Sequence, residues 1–328
     1  MRPVSLLLLL LSTSINAAER VDVRFVPDEA RAVLTILDAR ASGKLVTRAM
    51  WQRVFASEGY VRLKKREHSM QREFEDKAFA EFVMSDDLLA KREQLRHTLD
   101  SWLAADLGNA AAKALAYLPA NAKIRAKVYP VIKPKTNSFV FEVGTDPAIF
   151  MYVGDVPREE FEATIAHEMH HIGYGTACKD DGPPLPDNLK KLETWIGGFG
   201  EGFATLAAAG GPEGNPQHRA DARAEWEKQI PRFDANFNDV VRFFTEVLEG
   251  KLTGEAADKK AFEFFGLVGP WYTVGWKMAV VIEKTLGRDA LVAAMCDHRH
   301  FLGIYNRAAE MSREKLPRWP DALARAFD

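Results

Sequence analysis

Cysteine is scarce in this sequence, because the 328 residues include only Cys178 and Cys296. Two cysteines in a chain of this length cannot form the disulfide framework that stabilises small secreted proteins. They could pair in an oxidising compartment or remain as buried thiols, and the sequence leaves both alternatives open. A hydrophobic content of 47% is typical of a globular protein, so a hydrophobic core must provide most of the stability.

An excess of charge of one sign is also missing. Lysine and arginine number 44, aspartate and glutamate number 46, and the formal net charge is -2. The basic run from Arg62 to Arg66 is followed closely by acidic residues, which indicates a solvated helix face. Because no strongly basic surface is indicated, we do not expect a nucleic-acid partner.

Long apolar runs are absent except for one near the N-terminus, from Leu6 to Leu11. It follows the positive residue Arg2 and precedes small residues up to Ala17 and Ala18, which is the layout of a secretory signal peptide. The run is much shorter than the roughly 20 residues needed to span a membrane. We therefore predict a signal peptide at residues 1–17, a periplasmic or secreted mature protein, and no stable membrane anchor after cleavage.

The remaining sequence divides into two regions that differ in the spacing of their apolar residues. Residues 18–120 show helical spacing of apolar side chains, as in Val33, Leu34 and Leu37, and predict an N-terminal helical region. Residues 121–328 begin with three short strand-like segments, at 127–132, 138–141 and 148–153, and continue as helices. The short connections predict a small, mostly antiparallel sheet. The expected fold is α+β and mainly helical, with the second region as the catalytic domain.

The most informative motif is His167-Glu168-Met169-His170-His171, in a predicted helix that begins at Pro157. His167 and His171 are four residues apart and share one face, so their imidazoles can bind one zinc ion. Glu168 can then act as the general base for a water on the open side of the metal. His170 is expected to point away from this face, and a solvated surface helix is the alternative interpretation.

A catalytic zinc site needs a third protein ligand, and the sequence offers several. Glu201 is favoured because Gly200 and Gly202 flank it and would let its helix approach the histidine helix closely. The other candidates lie earlier in the chain: Asp180, Asp181, Glu193 and Cys178. Tyr174 and Ala177 stand where a metzincin needs glycine and histidine, so that subclass is excluded.

Three segments together resemble a bacterial family of zinc-dependent peptidases of the gluzincin type. They are the His167–His171 motif, the Glu-Gly-x-Ala segment at Glu201, and Trp271-Tyr272-x-x-Gly275-x-x-Met278-Ala279. The resemblance covers roughly Lys123 to Met295. It implies one zinc ion held by His167, His171 and Glu201, with Glu168 as base, and it implies no particular substrate.

Two further features are open to functional and structural interpretations. Tyr272 could donate a hydrogen bond to the oxyanion of the reaction or could be an ordinary core aromatic, and His218, His298 and His300 are weaker candidates for that donor. The segment Asn137 to Phe141 could be an edge strand that pairs with an extended substrate, or an interior strand.

The function expected from the sequence is an exported zinc-dependent hydrolase, a metallopeptidase acting on a peptide or protein. The alternatives are a zinc hydrolase of another acyl bond, or a metal- or peptide-binding module without turnover.

Overall fold

The computed structural model describes residues 17–135, 137–179 and 182–328. The fold is mainly helical with one small sheet, as predicted. The helices are α1 (Ala17–Arg20), α2 (Asp28–Ala41), α3 (Arg48–Ala56), α4 (Glu58–Ser69), α5 (Asp76–Val83), α6 (Asp86–Ala90), α7 (Arg92–Leu103), α8 (Leu107–Leu115), α9 (Arg158–Ala177), α10 (Asp187–Ile196), α11 (Gly200–Ala209), α12 (Ala220–Gln229), α13 (Phe233–Leu248), α14 (Gly254–Glu263), α15 (Pro270–Leu286), α16 (Arg288–Met295), α17 (His298–Met311) and α18 (Asp321–Ala324). The strands are β1 (Val21–Phe25), β2 (Ile124–Val131), β3 (Phe139–Phe141) and β4 (Ala148–Tyr152). Residues 1–16, which hold most of the predicted signal peptide, lie outside the described part of the chain.

The sheet is mixed, so the prediction of a mostly antiparallel sheet is wrong. The strand order is β1-β2-β4-β3, and both the β1–β2 and β2–β4 pairs are parallel. Only β3 and β4 pair in antiparallel fashion. After β2 the chain passes to the far edge of the sheet as β3 and then returns to the centre as β4. The short connection from β2 to β3 therefore joins strands that are not neighbours, whereas the connection from β3 to β4 joins neighbours. Strand β1 was not predicted, although Val21, Val23 and Phe25 alternate there with polar residues.

Both faces of the sheet are covered by helices. Alternate residues of β4 face opposite sides of the sheet and lie in two different apolar clusters. Ile149 belongs to the large core, and Phe150 belongs to a smaller cluster that also contains Leu63 of α4. The large core also contains Leu37 of the N-terminal region and Trp271 of α15. The N-terminal helices therefore pack on the region that carries the motif, and the domain boundary near residue 120 stays a prediction.

Helix α9 carries the histidine motif. It begins after Pro157, has Glu159 and Glu160 in its first turn, and continues past Gly173 to Ala177. A side chain at Gly173 would collide with Leu118, so this glycine permits close packing rather than ending the helix. None of the helices in the described residues combines the length and apolar character that crossing a membrane requires.

The glycines near Glu201 serve a different helix contact from the predicted one. A side chain at Gly202 would collide with the backbone of Gly275 and Trp276 in α15. A Cβ on Gly275 would in turn lie 2.7 Å from the carbonyl oxygen of Phe199. The close approach is therefore between α11 and α15, and the expectation that these glycines admit the histidine helix is wrong.

This contact predicts opposite effects for two neighbouring glycines. Gly202→Ala should lower the free energy of unfolding by about 2 kcal/mol or more, because the added methyl group meets backbone that cannot move aside. Gly200→Ala is the matched control, since among the described residues no atom beyond its own turn of helix lies within 4 Å of the added carbon. It should leave stability unchanged or raise it by about 0.5 kcal/mol through helix propensity. Denaturant titration of both variants tests this, and equal stability would contradict the packing argument.

Candidate metal centre

Helices α9 and α11 bring His167, His171 and Glu201 together. The Nε2 atom of His167 lies 3.0 Å from Oε2 of Glu201 and 3.1 Å from Nε2 of His171. The Nε2 atom of His171 lies 3.5 Å from the same carboxylate oxygen. The i, i+4 spacing on α9 places the two imidazoles side by side, and α11 presents Glu201 in its first turn. The three side chains thus form a group that could hold a metal ion.

The donor set and its spacing fit a zinc ion. In a tetrahedral zinc site with bonds of about 2.1 Å, neighbouring ligand atoms lie about 3.4 Å apart. The observed separations of 3.0, 3.1 and 3.5 Å are close to this value. Two imidazole nitrogens and one carboxylate oxygen are also a ligand set found in catalytic zinc sites, which keep the fourth position open.

The electrostatics of the group favour a bound cation. Burial acts to raise the pKa of Glu201, but the neighbouring His171 and His167 hold it well below the usual range. Burial likewise opposes protonation of His171, yet the charge and hydrogen bond of Glu201 raise its pKa to about 9. Glu201 is therefore an ionised carboxylate that attracts positive charge to the point where the two imidazoles meet.

Glu168 and Tyr272 line a cleft beside this group. The cleft has a volume of about 190 Å³, and His167, Thr205 and Arg219 also contribute to its walls. Burial raises the pKa of the Glu168 carboxyl, while the charges of His167 and the second histidine ligand act to lower it. Glu168 thus lines the cleft that also borders His167.

Tyr272 lies in the first turn of α15 and reaches the metal ligands. Its ring stacks on that of His167 with centroids 6.3 Å apart. Burial and the negative charges of Glu201 and Glu168 raise the pKa of its hydroxyl. Tyr272 therefore remains a protonated donor at neutral pH, and the structure places it at the cleft rather than in the core alone.

The other candidate ligands do not join the group, as far as the described residues show. Glu193 accepts a hydrogen bond from Arg299, with 2.5 Å between Oε1 and Nε. Cys178 forms a disulfide with Cys296, with 4.9 Å between their Cα atoms, so no thiolate is available there. Asp180 and Asp181 lie outside the described residues.

The remaining histidines have different surroundings. His170 is 1% exposed and faces the backbone carbonyl of Tyr117, and burial lowers its pKa to about 3. His298 contacts the hydroxyl of Tyr174 at 2.8 Å, and His300 lies 2.8 Å from a carboxylate oxygen of Asp297.

Among the weaker donor candidates, His218 alone lines the cleft. Within the segment Asn137 to Phe141, Phe139–Phe141 form β3, which lies at an edge of the sheet. The described residues that line the cleft include none from β3. Its predicted pairing with a substrate therefore stays a prediction.

A family model described as "Putative zinc dependent peptidase (DUF5700)" matches residues 36–314. No curated protein and no solved structure matches the chain.

Proposed function

This chain belongs to the DUF5700 family, and we propose that it is an exported zinc-dependent peptidase of the gluzincin type. The observation that carries the proposal is the group formed by His167, His171 and Glu201, with Glu168 in the adjoining cleft. A structural zinc site is closed by four protein ligands and needs no base beside it. Three ligands, an open cleft and a carboxylate next to the metal position instead support catalysis.

The residues have separate roles in hydrolysis of a peptide bond. His167, His171 and Glu201 would hold a zinc ion, which would supply a Lewis acid to lower the pKa of a water and polarise a carbonyl group. Glu168 accepts a proton from the attacking water and delivers it to the nitrogen of the departing amine. The hydroxyl of Tyr272 donates a hydrogen bond to the carbonyl oxygen as negative charge develops on it.

The proposal is tested by peptide cleavage with the purified mature protein. Cleavage should be abolished by a chelator and restored by adding zinc alone. Hydrolysis of ester or other acyl substrates without peptide cleavage would favour the rival zinc hydrolase. Stoichiometric zinc binding without turnover on any of these substrates would favour the binding module.

The export part of the proposal has its own test. The positive residue Arg2 and the apolar run from Leu6 to Leu11 motivate it. We expect the mature protein to begin at or near Ala18 and to be recovered from the periplasm or the medium. N-terminal sequencing of the exported form decides the matter, and an intact Met1 would contradict signal cleavage.

Tyr272→Phe tests the role of the tyrosine hydroxyl. The variant should lower kcat more than it changes KM, because a hydrogen bond to developing charge is strongest in the transition state. We expect a loss of about 10- to 100-fold in kcat with unchanged zinc content. Steady-state kinetics on a single peptide measures this. A folded variant with normal kcat would show that the Tyr272 hydroxyl takes no part in the reaction and that the side chain serves only in packing.

A further inference from the structure

A second cavity borders the same metal ligands. It has a volume of about 280 Å³ and is lined by His171 and Glu201, whereas the cleft is lined by His167, Glu168 and Tyr272. The ligand atoms of His167, His171 and Glu201 lie within 4.8 Å of one another. Each of the two cavities therefore borders at least one of the residues that could hold the metal.

The walls of the second cavity are mainly apolar. They include Trp195 of α10, Phe203 of α11, Phe265 after α14, and Met295 of α16. Trp195, Phe203 and Met295 belong to the large core and are at most 9% exposed. Packing against the core fixes these side chains, so the cavity keeps its shape before a ligand enters.

Three glycines line the same cavity, and one of them has no packing reason among the described residues. A Cβ at Gly197 would lie 2.8 Å from the ring of His298, and one at Gly198 would lie 2.9 Å from Trp271. No atom lies within 4 Å of a Cβ built at Gly200. Glycine within a helix destabilises it relative to alanine. Gly200 therefore keeps open a space that a ligand can occupy.

The cleft has a different character from the second cavity. Its walls combine charged or polar side chains, such as Glu160 and Arg219, with smaller apolar ones, such as Leu267 and Val268. The polar groups can contact the main chain of a peptide. The second cavity has the more aromatic walls, so it is the better candidate for binding a large apolar side chain.

We propose that the second cavity binds a large apolar side chain, such as that of Phe, Leu or Met, on one of the two residues that flank the scissile bond. This inference rests on the proposed peptidase function and names its substrate class. Transfer of an apolar side chain from water into a preformed apolar cavity is favourable. Because His171 and Glu201 line the cavity, a side chain bound there belongs to a residue next to the bond at the metal.

The test is cleavage of a mixed peptide library by zinc-loaded full-length mature protein. The wild type should favour large apolar residues over Ala and Gly at one flanking position, by a factor on the order of 10 to 100 in kcat/KM. Gly200→Leu, which fills the cavity, should reduce or invert that preference. Gly144→Leu is the matched control, because a Cβ at Gly144 likewise meets no neighbouring side chain or backbone and Gly144 lies outside both cavities, and it should keep the wild-type preference.

A second variant keeps the test decisive if Gly200→Leu misfolds or loses zinc. Thr194 is an exposed residue of α10 at the edge of the second cavity. Thr194→Arg should increase kcat/KM for peptides with Asp or Glu at the selected position by about tenfold, because it adds a positive charge there.

The outcomes separate this inference from the function on which it rests. No cleavage of any peptide by the zinc-loaded wild type would overturn both. Cleavage without apolar preference at either flanking position would overturn only the cavity assignment. An unchanged preference for side chains at the flanking position in zinc-loaded Gly200→Leu would also overturn the cavity assignment. If Gly200→Leu cannot be assayed, an unchanged preference in Thr194→Arg would have the same consequence.

Discussion

Glu168→Gln should leave about one zinc ion per chain in place and lower peptide turnover by a factor on the order of 10² or more. The substitution keeps the size of the side chain and one acceptor oxygen but replaces the basic carboxylate by a neutral amide that cannot accept the proton. The three proposed ligands His167, His171 and Glu201 are untouched, so metal affinity has no reason to fall. Metal analysis and steady-state kinetics on the same preparation measure the two quantities together.

The matched control for this variant is Glu162→Gln on the same helix. Glu162 pairs with Arg158 through an i, i+4 ion pair and does not line the cleft. A pair of this kind contributes only about 0.3–0.5 kcal/mol, so fold and turnover should both be preserved. Near-normal turnover in Glu168→Gln would show that another group takes the proton. Loss of zinc from that variant would show that Glu168 helps to hold the metal.

The sequence predicted the local part of the site well, because helical periodicity is a local property. His167 and His171 are four positions apart, and this spacing places both imidazoles on one face of α9, whatever the rest of the fold does. The same periodicity turns His170 away, and it is buried against Tyr117. Glu201 required a long-range inference, and the structure places its carboxylate beside both histidines.

The long-range parts were harder to predict, because each depends on pairing between distant segments. The pairing of β1 with β2 joins residues about 100 positions apart, and no local pattern specifies that partner. Glycine at Gly202 correctly indicated a close helix contact, but a missing side chain does not identify the helix that approaches it. The partner is α15, which also carries Tyr272, so this contact holds the tyrosine near the metal ligands.

The second cavity could not be predicted from the sequence at all. Trp195, Phe203, Phe265 and Met295 come from four separate parts of the chain, and each alone has the pattern of an ordinary core residue. Only their convergence beside His171 distinguishes them. The sequence shows a glycine at position 200, but it does not show that the space beside this glycine is open.

Glu201→Ala should remove most of the bound zinc and the peptidase activity together. A catalytic zinc takes three protein ligands, and loss of one leaves only the imidazoles of His167 and His171. The carboxylate also supplies the negative charge that balances the cation at this half-buried position. Zinc content after dialysis against a weak chelator, measured beside kcat/KM, gives both results on a folded variant.

Glu193→Ala is the matched control, because Glu193 is a partly buried carboxylate eight residues earlier in the chain. It is bound to Arg299 instead of the metal group, so its loss should reduce stability while zinc stays in place. Asp180→Ala and Asp181→Ala should likewise keep the metal, since three ligands are already provided. Full zinc occupancy in folded Glu201→Ala would overturn the assignment of Glu201. Zinc loss in either aspartate variant would instead place a ligand in the loop between α9 and α10.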